Sequence, residues 1–226
     1  MSPLSLARWG EPGELAAPSP VFVLDPGDAD PGPIEGQIVV APRADAARLR
    51  TLFAQGAAEV LVGEGALRDP RLVRDGLAGQ DPARIGIWLP VRLTQTRWSL
   101  DRTSNADFSF VSIPAPIRRW VVLRDNGSAS DVDALWWATE QLKAGCSRIL
   151  LSIPEPEDDD LAPTAELAEL AGERLWVDTG SADPAELRFW VKYGQVRRLV
   201  LPPASDLHQA LAGLNALFPP LEERPV

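Results

Sequence analysis

The sequence predicts an α/β fold built from repeated strand–helix units, and three observations predict it. First, residues 144–190 read strand, helix, strand, helix. Ile149–Ile153 and Leu175–Asp178 are short apolar runs, Thr164–Ala171 has helical spacing, and a second helical pattern opens at Pro184. This is the pattern of a parallel βα unit, in which the crossover is right-handed. Second, the alternation recurs, with apolar runs starting near residues 21, 37, 59, 85, 148, 174 and 198. Third, 226 residues suit one barrel, and a 45 % hydrophobic content fills a large core without disulfides or metals. The three together predict a single (β/α)8 TIM-type barrel over residues 1–226, seven of whose eight strands are evident.

Taken in order, residues 1–20 are rich in Pro, Gly and Ala and read as an irregular N-terminal segment, with Leu4–Trp9 as one or two helical turns. Val21–Leu24 is a strand stopped by Asp25-Pro26-Gly27, and residues 26–36 are turn chemistry throughout. No crossover helix is evident before the strand at Gln37–Ala41, so the N-terminal βα unit is shortened or missing. Ala44–Gln55 is a helix with Gly56 at its C-terminal cap, and Glu59–Val62 is a strand. Asp69-Pro70 opens another helix, with Asp as cap and Pro at the first helical position. Ile85–Leu89 is a strand ending at Pro90. Residues 91–125 break the rhythm and read as a hairpin insertion after the fifth strand, in which Phe108–Ile113 alternates like a ribbon and Trp120–Leu123 is its partner. Ser130 or Asp131 then caps a helix over Val132–Lys143. The last strand is Arg198–Leu201, followed by Pro202-Pro203 and a helix over Asp206–Leu217.

The charge balance excludes several classes of function. A net charge of −10 argues against nucleic acid and against anionic membranes, because both need a basic footprint. No stretch approaches the roughly 20 apolar residues of a membrane span, and the N-terminus has no basic segment leading into an apolar one. The lone Cys146 cannot pair internally and fits a cytoplasmic location, buried ahead of a strand. The lone His208 finds no second histidine for a dyad or a His-based metal site.

Three stretches carry a resemblance. GAAEVLVGEGALRDPRLV at 56–73 resembles the fourth strand and following helix of the two histidine-biosynthesis barrels. These are the phosphoribosylformimino-aminoimidazole-carboxamide ribotide isomerase and the cyclase subunit of imidazole glycerol phosphate synthase. NGSASDVDALWWATEQLKAGCSRILLSI at 126–153 is similar to the cyclase's run into its sixth strand, and DTGSADPAELRFW at 178–190 resembles the turn after the seventh. The likeness covers residues 37–90 and 119–205 in register, and it is closer to the cyclase. It implies a ribulose-phosphate-binding type of barrel, a small phosphorylated metabolite held after strands three/four and seven/eight, and no cofactor. It also implies an acid–base pair of two Asp residues, at the ends of the first and fifth strands. One carboxyl donates a proton while the other accepts.

The departures fall on the chemistry. Pro90 stands at the fifth-strand Asp position and cannot titrate. Val40-Ala41-Pro42-Arg43 replaces the Gly-rich turn after strand three, and Pro42 removes a backbone donor. Gly180 and Ser181 remain after strand seven, beside Asp178, whose charge repels phosphate. Pro202-Pro203 remove two donors after strand eight, where Ser205 remains. Val21–Asp25 fits either the first strand, which makes Asp25 the family's other catalytic Asp, or the second, with residues 4–17 as a worn helix and the first strand missing.

Each candidate residue has a plainer alternative. Asp25 is a catalytic carboxylate or a turn former before Pro-Gly. Glu155 with Glu157-Asp158-Asp159-Asp160 is a cluster of hard-cation ligands or a solvated acidic loop, and no metal is expected because consecutive acids point in different directions. Trp136-Trp137 split between core and boundary. The Trp98–Trp120 region, with Phe108 and Phe110, packs as core or offers an aromatic patch to a protein partner. Two functions follow. One is a divergent, non-catalytic binding or assembly protein. The other is a lyase or isomerase acting on a ribosyl phosphate or related small metabolite through Asp25, Glu155 and Asp178.

Overall fold

The computed structural model describes residues 3–14, 19–74, 82–95, 104–105, 108–109 and 118–217. Eight parallel strands close a ring. They are β1 (Ser5–Trp9), β2 (Val21–Leu24), β3 (Ile38–Ala41), β4 (Glu59–Val62), the first half of β5 (Ile85–Gln95), β10 (Ile149–Ser152), β11 (Leu175–Asp178) and β12 (Arg198–Leu201). β5 pairs with β10 and β12 pairs back to β1, so the ring has no free edge. The TIM-type barrel expected from the repeated units is therefore what the chain forms.

The eighth strand is Ser5–Trp9, where the sequence suggested helical turns. It lies between β12 and β2, with Ser5 opposite Arg198 and Trp9 opposite Phe22. Val21–Leu24 is thus the second strand, and the first is present rather than missing. The N-terminal units are nonetheless shortened: among the described residues no helix follows β1 or β2.

Helices cover the later strands. These are α1 (Ala46–Ala54), α2 (Glu64–Arg68), α3 (Arg71–Arg74), α4 (Ala134–Lys143), α5 (Leu161–Ala171), α6 (Pro184–Lys192) and α7 (Leu207–Leu217). Their starts have visible chemical causes. Asp45, Asp133 and Asp183 each accept a backbone N–H of the first turn, and Pro184 sits where its missing N–H costs nothing. Gly56 follows α1 at φ 92°, the left-handed conformation that ends helices. α4 begins at Ala134 rather than Val132, and its cap is Asp133 rather than Ser130 or Asp131. Residues Ala129–Asp133 instead form a strand, β9.

The insertion after the fifth strand is a sheet that grows out of the barrel. β5 continues past Pro90, and its Val91–Gln95 half pairs antiparallel with β8 (Arg118–Leu123), which in turn pairs with β9. The partner of Trp120–Leu123 is therefore the extension of β5. Phe108–Ser109 (β7) pairs only with Ser104–Asn105 (β6). Trp98 and Phe110 lie outside the described residues. Trp120 is buried, and its indole N–H donates to Asp160 Oδ1 at 2.6 Å, so it packs as core.

Two apolar clusters fill the molecule. One lies between strands and helices, around Val39, Leu49, Val62, Ile87, Leu151 and Leu199. The other fills the ring interior with Ala7, Phe22, Val40, Leu61, Leu150, Trp176 and Val200, with Trp9 and Trp88 packed on it. Strand alternation assigns the remaining inward positions. Glu59, Arg148 and Arg198 face inward at the N-terminal floor, and Trp9, Trp88, Ser152 and Asp178 face inward at the C-terminal mouth.

Candidate functional site at the barrel mouth

Barrel enzymes work at the C-terminal ends of their strands, so chemistry is sought there. Four inward side chains from four strands meet at this end. Trp9 Nε1 donates to Asp178 Oδ2 at 2.9 Å, and Ser152 Oγ donates to the same oxygen at 3.2 Å. Trp88 Nε1 donates to Ser152 Oγ at 3.1 Å. The Gly180 backbone N–H donates to Asp178 Oδ1 at 2.9 Å. A single carboxylate thus holds two tryptophans, one directly and one through a hydroxyl. Small neighbours make room for the rings: a Cβ on Gly63 would lie 2.8 Å from Trp88 Cε3. Trp9 also packs on Phe22 with ring centres 6.1 Å apart, and Phe22 packs on Trp176 at 5.7 Å. Below the polar layer the interior is a stack of aromatic and aliphatic side chains rather than a ligand chamber.

Beside this hub stands Pro90, which is buried and in register with Ser152 on the neighbouring strand. It offers no proton donor or acceptor on its side chain. The first strand ends in Trp9-Gly10-Glu11, so Asp25 does not occupy a first-strand position.

Asp25 follows β2 and is buried. It forms a two-pronged ion pair with Arg48 of α1, with Arg48 Nε donating at 3.1 Å, while Arg48 Nη2 also donates to the Ala29 carbonyl at 2.9 Å. The carboxylate raises the guanidinium's pKa and pins α1 to the loop after the second strand. This rim holds a cavity of about 430 Å³ between Asp25, Asp28, Pro42, Arg43, Arg48 and Asp125. Arg43, which stands in the replaced turn after β3, pairs with Asp125 from the turn between β8 and β9. Glu64 at the start of α2 accepts the Asp125 backbone N–H at 3.0 Å and the Arg68 guanidinium at 2.7 Å. These two donors, the backbone one first, lower the Glu64 pKa. The inserted sheet is thereby tied down over the loops after strands three and four.

The other candidates lie apart. Glu155 is exposed in the loop after β10, and among the described residues no hydrogen bond joins it to Asp25 or Asp178. Ser181 Oγ accepts the Asp183 N–H, and Ser205 Oγ donates to the Pro202 carbonyl at 2.7 Å, so both hydroxyls serve their own turns. Asp160 leaves the acidic run for the interior, where it holds Trp120 and the Glu157 backbone N–H, while residues 154–159 stay exposed. Among the described residues no group of three or more His, Cys, Asp or Glu side chains could hold a metal.

Of the sequence candidates, Asp178 and Gly180 belong to the mouth hub, and Asp25 lies on the rim beside it. The Asp178 partners Trp9, Trp88 and Ser152 were not singled out from the sequence. The available signal was positional: each is the penultimate or last inward residue of its strand. Reading Leu4–Trp9 as helix concealed the first of them.

No protein-family model matches this chain, and no curated protein matches it. Among the described residues no helix is long and apolar enough to cross a membrane.

Proposed function

We propose that this chain is a non-catalytic binding or assembly protein, a divergent, cytoplasmic relative of the histidine-biosynthesis barrels. One observation carries the reading: Asp178, the inward-facing carboxylate at the strand ends, is taken up by three hydrogen bonds from Trp9, Ser152 and Gly180. Acid–base isomerisation needs one group to give a proton while another takes one. Here the first-strand and fifth-strand positions carry Trp9 and Pro90, and Asp25 is held by Arg48. The turn after strand three offers Pro42, and its Arg43 is already paired with Asp125. Each departure removes either a reacting group or a phosphate donor.

The test is an assay with the aminoimidazole ribotide intermediates that the two family enzymes use, run beside a thermal-shift screen with the same compounds and ribose phosphates. The expected result is no turnover and no shift. A ligand at about 100 times its Kd would stabilise the fold by about 2.7 kcal/mol, enough to be plain in a melt. Turnover that disappears in Asp178→Asn or Asp25→Asn with the fold intact would establish the second reading, a lyase or isomerase.

A further inference from the structure

At the other end of the barrel a larger cavity opens, about 750 Å³, within the range of roughly 300–1,000 Å³ typical of small-molecule sites. Among the described residues no helix follows β1; α7 packs against β1 instead, and the cavity lies where the two meet above the barrel floor. It reaches under the start of α7. Leu4, Leu6, Leu207 and Leu211 give it an apolar wall.

Its polar lining is basic, in a chain whose net charge is −10. Arg8, Arg148 and Arg198 line it, Arg8 paired with Glu14, and Asp206 is the one carboxylate in the lining itself. Asp206 is occupied, accepting the His208 and Gln209 backbone N–H groups at 2.9 and 3.0 Å. The Arg148 and Arg198 guanidinium groups both lie over the Trp176 ring, 5.2 and 5.9 Å from its centre. One indole thus holds two like charges. Each arginine gives only part of its fork to a carboxylate: Arg148 Nε donates to Glu59 at 2.9 Å and Arg198 Nη2 to Glu173 at 3.1 Å. Arg148 Nη1 is buried with no hydrogen-bond partner among the described residues. Spare planar donors, paired like charges and an adjoining apolar wall together define an anion site with room for a hydrophobic body.

We propose that this floor cavity binds a small organic anion, a phosphate or carboxylate carrying an apolar group, with Arg148 and Arg198 gripping the anionic end. The site is independent of the mouth and of the catalytic question raised there.

The test is calorimetric titration of the full chain at low salt with phenyl phosphate and, separately, inorganic phosphate. Phenyl phosphate should bind one per chain and more tightly than inorganic phosphate, because only it uses the leucine wall. Arg198→Gln should weaken it about tenfold or more. This variant keeps the fold, since its partner Glu173 is largely exposed. Arg148→Lys keeps the charge facing Glu59 but loses the fork, and should also weaken binding. Arg188→Gln on α6 and Asp178→Asn at the mouth should leave it unchanged. Absence of binding at millimolar phenyl phosphate overturns the proposal. So does an affinity untouched by Arg198→Gln, or one lost in Asp178→Asn, which would put the ligand at the other end.

Discussion

The Asp178 carboxylate accepts three hydrogen bonds, and the cost of losing each donor can be ranked. Trp9→Phe keeps an aromatic ring beside Phe22 and removes the indole N–H together with some of the ring's bulk. Hydrogen bonds to charged groups contribute about 1.5–3 kcal/mol, and the partial exposure of Trp9 places this loss near the lower end. Asp178→Ala strands Trp9 and Ser152 together and should cost more. Urea melts of the two single variants and the double should show the losses as non-additive by about 1–2 kcal/mol, because both remove the same bond. Additive losses would mean that the pair does not hold the mouth. A second residue-scale prediction concerns Cys146. Burial pushes its thiol up from 9.0 to about 11. The folded chain then keeps a proton that the unfolded chain releases. Any stability this thiol confers is complete below about pH 9 and is lost as pH rises toward 11. Since the thiolate is the reactive form, a disulfide reagent at pH 8 should label the native protein only at its rate of opening, and the denatured protein at once.

At the scale of elements, sequence and structure part company where short apolar runs have no partner visible in the sequence. Runs buried on both faces, such as Ile149–Ser152 and Leu175–Asp178, carry no polar alternation, and flanking helices identified them. Ser5–Trp9 has no such flank and mixes Ser and Arg with Leu and Trp, so periodicity could not separate strand from helical turn. Its strand state comes from β12 and β2, the latter following 12 residues later in sequence and the former closing the ring. The mouth was half legible for the same reason. Asp178 ends a strand before a glycine turn, a local signal, whereas the bond from Trp9 spans 169 positions and exists only because the barrel closes. The start of α4 gives a direct comparison of the two readings. Asp133→Ala should cost about 1 kcal/mol by removing the acceptor for the Trp136 N–H. Asp131→Ala, on an exposed strand position, should change stability by no more than about 0.5 kcal/mol. Thermal melts that reversed this order would restore the cap the sequence suggested.

At the scale of the whole molecule, closure makes the first strand indispensable although it is short and terminal. β1 pairs four residues with β12 and two with β2, and it contributes Leu6 to the outer core and Ala7 and Trp9 to the inner one. Without it, β12 and β2 become open edges and the aromatic stack over Phe22 loses its lid. The Trp9 bond that anchors Asp178 goes as well. A domain of this size is stable by only about 5–15 kcal/mol, and the lost ladder, burial and hub together are of that order. Had residues 4–9 been a surface helix, their removal would have been tolerated like that of most chain termini. Deletion of residues 2–10 should therefore abolish cooperative unfolding. Circular dichroism should show no sharp thermal transition, and gel filtration should show an expanded or aggregated chain. Deletion of residues 2–3 alone leaves every β1 pairing in place and should melt as the full chain does. A shortened protein that lacked Trp9 yet still melted in one sharp step would mean that seven strands can close this barrel, and the account of the mouth as a Trp9–Asp178 lock would fall with it.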